Sequence, residues 1–80
     1  MKLIKFEQPN CNPCALVSNY LDSKSVTYER VNVVDDPEKA SLFGIMGVPV
    51  TILLDDNGNE IRRVIGFKPA ELDKLINQLN

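Results

Sequence analysis

Gln8-Pro9-Asn10-Cys11-Asn12-Pro13-Cys14-Ala15-Leu16 (QPNCNPCAL) holds both cysteines of an 80-residue chain, three positions apart, after an apolar strand-like run and at the start of a helix-like one. With no other cysteine and no histidine in a short chain of mixed strand and helix pattern, a Cys-x-x-Cys pair reads first as a redox pair. One thiolate attacks a substrate disulfide and the other resolves the intermediate. The spacing has a geometric reason. With Asn10 or Cys11 ending the loop and Pro13 in the first helical position, where its missing N–H costs nothing and its fixed φ suits the helix, Cys11 lies at the helix N-terminus and Cys14 one turn inside. Unpaired backbone N–H groups and the positive end of the helix dipole favour an anion at that terminus, so Cys11 ionises more readily than a free thiol. Cys11 is therefore the expected nucleophile, and Cys14, deeper in the helix, the resolving thiol.

Two other uses of the pair are weaker. A structural zinc wants about four thiolate or imidazole ligands, and two sulfurs with no imidazole cannot supply them. A permanent structural disulfide across two intervening residues removes little unfolded-chain entropy and braces almost nothing. Composition sets further bounds. Eighty residues imply a single domain spanning residues 1–80, with about 60% of the chain's surface buried. Nine Lys/Arg against eleven Asp/Glu, interspersed, give a net charge of −2, which leaves neither a nucleic-acid footprint nor a membrane-binding patch. The start, MKLIKFEQPN, has no cleavage site for secretion and no apolar run reaches the length of a membrane span. A cytoplasmic, reducing location and a monomer are the expectations, with no cofactor bound by the chain itself.

Leu3-Ile4-Lys5-Phe6 suits a strand buried in the middle of a sheet, ended by Gln8-Pro9-Asn10. From Pro13 onward Leu16, Val17, Tyr20 and Leu21 recur with helical period while Ser18, Asn19, Asp22 and Lys24 fill the other face, predicting a helix that ends near Lys24. Val26 to Val34 alternates and is rich in Val, Thr and Tyr, and the intervening helix makes it a parallel neighbour of the first strand through a right-handed crossover. Asp35-Asp36-Pro37-Glu38 starts a short helix that Gly44 stops after Phe43. A run through Ile45 to Leu54, the turn Asp56-Asn57-Gly58-Asn59 and the run Glu60 to Ile65 predict an antiparallel hairpin. A last helix starts at Lys68 or Pro69, with Leu72, Leu75, Ile76 and Leu79 on one face.

The resulting order, βαβαββα, with Cys11-Asn12-Pro13-Cys14 after the first strand and Val48-Pro49 opening the third, resembles the thioredoxin/glutaredoxin family over nearly the whole chain. The resemblance implies an α/β minimal thioredoxin fold, a four-stranded mixed sheet flanked by helices. Its length resembles a glutaredoxin. Cys-x-Pro-Cys, the Pro37 helix start and Ile45-x-Gly-Val-Pro resemble thioredoxin, and Gly66-Phe67-Lys68-Pro69 resembles the NrdH-type redoxins, which are glutaredoxin-sized with thioredoxin-like partners. It also implies a cis peptide at Val48-Pro49, set against the active-site disulfide, with the backbone of Val48 pairing an incoming substrate strand.

Departures from the family are informative. Asn10 stands where thioredoxins have a tryptophan, and Lys5 where they place a buried acid held to move protons for the resolving cysteine. A partly buried Lys5 ammonium below the cysteine pair would favour thiolate on either sulfur; the alternative is a lysine whose stem packs while its head reaches solvent or pairs with an acid. Where glutathione-dependent glutaredoxins resemble one another in a glycine pair followed by an acid, this chain has Gly66-Phe67-Lys68-Pro69, so tight glutathione binding is not expected. Phe67 is either an apolar contact for a protein partner or a core residue locking the last helix. Asn10, Asn12, Pro13, Val48, Pro49, Gly66 and Phe67 are the expected substrate-binding residues. The function implied is a small thiol–disulfide oxidoreductase, a protein disulfide reductase re-reduced by thioredoxin reductase, whose target is ribonucleotide reductase or a general set of proteins. The alternatives are a glutathione-dependent glutaredoxin and a dimeric metal or iron–sulfur scaffold in which each of two chains gives a cysteine pair.

Overall fold

A computed structural model describes residues 1–79. Their elements run β1 (Lys2–Glu7), α1 (Asn12–Ser23), β2 (Glu29–Asn32), α2 (Pro37–Leu42), β3 (Val50–Leu54), β4 (Glu60–Ile65) and α3 (Pro69–Leu79), the order predicted. The sheet is four-stranded and mixed, in the order β2-β1-β3-β4, with β1 parallel to β2 and the other two pairs antiparallel. Period-two alternation sorts its side chains to two faces. Leu3, Leu53 and Val64 meet Val17 and Leu21 of α1 and Leu72 and Leu75 of α3. On the other face Ile4, Phe6, Val31, Val50, Ile52 and Leu54 meet Phe43 and Ile45, which follow α2.

Three boundaries and faces differ from the sequence reading. β2 pairs only over Glu29–Asn32, not from Val26, because the Val26 N–H donates back to Leu21 O and closes the end of α1, while Val26 and Tyr28 pack on the cluster under that helix. Leu16, read as core, is half exposed, and Ser18, read as solvent-facing, is buried. A helix packed on one face of a sheet buries only one stripe of its surface. Here Cys14, Val17, Ser18 and Leu21 occupy it.

The hairpin forms where Asn57-Gly58 predicted it. Asp55 Oδ1 accepts from the N–H groups of Asn57 and Asn59, both at 2.9 Å, and Gly58 takes a φ of +84° that glycine adopts without a Cβ clash. At the other end of β3 the Val48–Pro49 peptide is cis, as the resemblance implies, and the Gly66 N–H donates to Pro49 O at 2.9 Å, so that the end of β4 is tied beside it.

Two polar residues face each other in the middle of the sheet, Lys5 on β1 and Thr51 on β3, and both are buried. The Thr51 hydroxyl has no hydrogen-bond partner. A buried, unpaired hydroxyl opposes folding by about 1–3 kcal/mol, so Thr51→Val, which keeps the shape and removes the polar atom, is expected to stabilise the protein by on the order of 1 kcal/mol. That corresponds to a rise in Tm of roughly 4–8 °C for a domain of this size. A thermal melt checks it, and a lower Tm would show that the hydroxyl is satisfied after all.

Candidate redox site

Cys11 and Cys14 are joined as a disulfide, with their Cα atoms 5.2 Å apart. Cys11 is the N-cap of α1, in extended backbone at φ −117° and ψ 101°, and its Sγ accepts a hydrogen bond from the Cys14 N–H at 3.2 Å. The sulfur thus does what a Ser or Asp oxygen does at other helix starts, meeting one of the orphan N–H donors. Asn12 is consequently the first helical residue and Pro13 the second, one step later than the sequence reading placed it. Asn10, just ahead, has a φ of +57°, a left-handed conformation that asparagine tolerates better than most side chains and that turns the chain sharply into the helix. The two sulfur residues are unequal in access: Cys14 is 3% exposed, while Cys11 is only half-buried.

A cleft of ≈ 320 Å³ opens against this pair. Both cysteines line it, with Asn10 and Asn12 at the loop, Lys5 and Glu7 from β1, Ser18 from α1 and Arg30 from β2. On the other side of Gln8, which borders both, a second cavity of ≈ 340 Å³ is lined by Val33, Ile45, Met46, Gly47 and Val48. Val48 is half-buried and Pro49 buried beneath it; Gly66 reaches this region through its bond to Pro49. Pro13 is exposed beside the disulfide. Phe67 packs edge-on against Tyr20 of α1, with ring centroids 6.1 Å apart, among the residues under α1 and α3. That packing is the helix-locking one, and Phe67 is half-buried in it, with part of the ring open to solvent.

Lys5 is 1% exposed. Its ammonium donates to Glu7 Oε1 at 2.5 Å and to Ser18 Oγ. So its head pairs with an acid and yet stays buried in the cysteine cleft, combining features of both readings. Arg30 reaches into the same cluster from β2, with Nη2 3.0 Å from Ser18 Oγ and Nε 3.3 Å from Glu7 Oε1. Burial pushes the Glu7 carboxyl up, but the hydrogen bond and charge of Lys5, followed by those of Arg30, outweigh it and hold the group below the ordinary glutamate range. Glu7 is therefore the anion between two cations. The sequence singles out Lys5 but not its two partners, Glu7 and Ser18, nor Arg30, which binds both of them. Glu7 was legible, since it lies two residues along the same strand and so on the same face. Ser18 was legible too, as the residue one helical turn after Cys14. Arg30 gave no signal, being the kind of residue an edge strand turns to water. Among the described residues no helix is long and apolar enough to cross a membrane.

No family model matches the chain. Individual proteins do. The chain is 60% identical over 79 residues to the SPbeta prophage-derived thioredoxin-like protein YosR of Bacillus subtilis, covering 99% of each. It is 38% identical to a thioredoxin of Chlamydia caviae, over 95% of this chain and 79% of that one. Among solved structures it superposes on the thioredoxin of Malassezia sympodialis with a TM-score of 0.84 at 26% identity, covering 95% of this chain and 71% of the other.

Proposed function

We propose, from the premise that this chain belongs to the thioredoxin family and is a thiol–disulfide oxidoreductase, that it works as a cytoplasmic protein disulfide reductase with Cys11 as nucleophile and Cys14 as resolving thiol. The observation that carries the assignment is the unequal access of the two sulfurs, one capping a helix at the surface and the other inside it. The Cys11 thiolate attacks one sulfur of a target disulfide, forming a mixed disulfide and releasing the target's other sulfur as thiolate, which takes a proton from water. Cys14 then loses its proton and attacks Cys11 Sγ, and the target's second sulfur leaves. Two electrons have passed to the target, and the Cys11–Cys14 disulfide is the product. An extended target segment is read as pairing with the backbone of Val48, with its side chains entering the cavity lined by Val33, Ile45 and Met46. A ribonucleotide reductase is one target that fits, as is a broader set of protein disulfides.

The electrons are proposed to come from NADPH through thioredoxin reductase. Recognition of glutathione depends on holding its charged ends, and where a glycine pair and an acid would do so this chain has Phe67 packed on Tyr20 and Lys68-Pro69 opening α3. A lost charge-assisted contact of about 1.5–3 kcal/mol corresponds to roughly ten- to hundredfold weaker binding. NADPH with thioredoxin reductase is expected to reduce the disulfide at least about tenfold faster than glutathione with glutathione reductase at physiological concentration. NADPH oxidation followed with each system measures it, and faster turnover with glutathione would overturn the partner assignment.

A further inference from the structure

The resolving step needs Cys14 as a thiolate, and the cleft that holds it contains a carboxylate tied up by two cations rather than a free base. Ser18 explains what the cations are for. Its Oγ accepts from Lys5 Nζ and from Arg30 Nη2, and a hydroxyl has two acceptor lone pairs and one proton to give. With both lone pairs occupied, Ser18 has only its O–H to offer, which in the oxidised protein has the Tyr28 hydroxyl oxygen as an acceptor and turns to the sulfur only once the disulfide is opened. It sits four residues after Cys14 on the buried stripe of α1, and because Cα–Cβ bonds tilt toward a helix N-terminus, its side chain leans to the turn that carries Cys14.

We infer that Ser18, Lys5 and Arg30 form a receptor for the Cys14 thiolate, in which the Ser18 hydroxyl donates to the sulfur and the two cations hold that hydroxyl in place and attract the charge. Lys5 and Arg30 are in this sense positioning residues. Cys14 then ionises by giving its proton to water in the cleft, and no side chain acts as the base. Glu7 moderates the site, since its carboxylate offsets part of the positive charge. The charged groups facing Cys14 among the described residues lining the cleft are Lys5 and Glu7 from β1 and Arg30 from β2. Asp22 and Tyr28 bear on it through Arg30, whose charge both favour. β3 contributes the neutral Thr51 beside Lys5, and α1 contributes Cys11 and Ser18.

The inference rests on Cys14 being the resolving thiol for its meaning, but its test does not. Cys11→Ala leaves Cys14 as the sole thiol of the chain, and alanine at the helix cap adds no hydroxyl that could itself donate to the sulfur. Titrating the ultraviolet absorbance of the thiolate then reads the Cys14 pKa directly. In this background it is expected to lie at least about one unit below the free-cysteine value of about 8.5. Ser18→Ala and Lys5→Met are each expected to raise it by about one unit, and Glu7→Gln to lower it. The Glu7 arm separates the two mechanisms by rate, since removing the carboxylate charge lowers the thiol pKa under either: here Glu7→Gln leaves resolution of a preformed mixed disulfide as fast or faster, whereas were Glu7 the base that takes the proton, Glu7→Gln would slow it. That result would overturn the inference, as would an unchanged pKa in Ser18→Ala. If Lys5→Met fails to fold by circular dichroism, the other two substitutions decide. Failure of the role assignment shows elsewhere, in which cysteine variant traps substrate.

Discussion

Cys14→Ser is expected to accumulate a stable mixed disulfide with protein substrates, while Cys11→Ser accumulates none, and both variants are expected to lose catalytic turnover to the background rate. The asymmetry follows from position. Cys11 Sγ sits at the mouth of the cleft, where helix N–H groups such as that of Cys14 favour the anion. A target disulfide, whose two sulfurs must approach roughly in line with the attacking one, can reach Cys11 and not the 3%-exposed Cys14. Once the mixed disulfide has formed, the only sulfur of the chain placed to break it is Cys14, Cα–Cα 5.2 Å away. Serine there removes the exit and keeps the entry. Gel mobility under non-reducing conditions with an immobilised substrate, and insulin precipitation as the turnover assay, give the two readouts. Equal trapping by both single variants would reverse or dissolve the assignment.

Phe6→Ala is expected to be the most damaging single core change and to cost about 3–5 kcal/mol, with a further 0.5–1.5 kcal/mol for a lost aromatic pair. Phe6 is fully buried on the central strand and packs at 5.4 Å, ring to ring, on Phe43 at the end of α2, among Val31, Val50 and Ile4. A chain of this length has a total stability on the order of 4–12 kcal/mol, so the substitution takes a large part of it. Its consequence reaches the site because Phe6 lies between Lys5 and Glu7 in sequence and anchors the opposite face of the strand that carries both. Urea unfolding of the oxidised protein measures the effect, and a loss below about 1 kcal/mol would mean that the face under α2 contributes little to the fold.

What the sequence disclosed and what it withheld divide along a physical line. The redox loop, the Asn57-Gly58 hairpin and the stop at Gly44 are local, each depending on the conformational limits of one or two residues, and the parallel crossover follows from a general handedness rule; each is legible. The faces were less so. Leu16 and Ser18 lie on the sides of α1 opposite to those hydropathy predicts, and a buried serine held by two cations defeats that guide. Arg30 shows the limit most plainly. Its side chain is 55% exposed on an edge strand, yet its guanidinium tip touches both Glu7 and Ser18, and no period in the sequence marks a long side chain that folds inward over a neighbouring strand. Val26 to Tyr28 have strand-like composition but are used to cover a helix.

The strand order β2-β1-β3-β4 leaves β2 and β4 as the two rims of the sheet. Each rim presents backbone donors and acceptors that a strand of another molecule could pair with, the usual route to ordered aggregation. Neither rim offers a clean template. β2 is four residues long, carries Glu29 and Arg30 and is followed by the turn into Pro37, while β4 carries Glu60, Arg62 and Arg63 and breaks register with β3 at Leu53/Leu54. Under the proposed pairing of substrates with the Val48 backbone, rims closed to other strands would leave that segment, outside all four strands, as the receptive one.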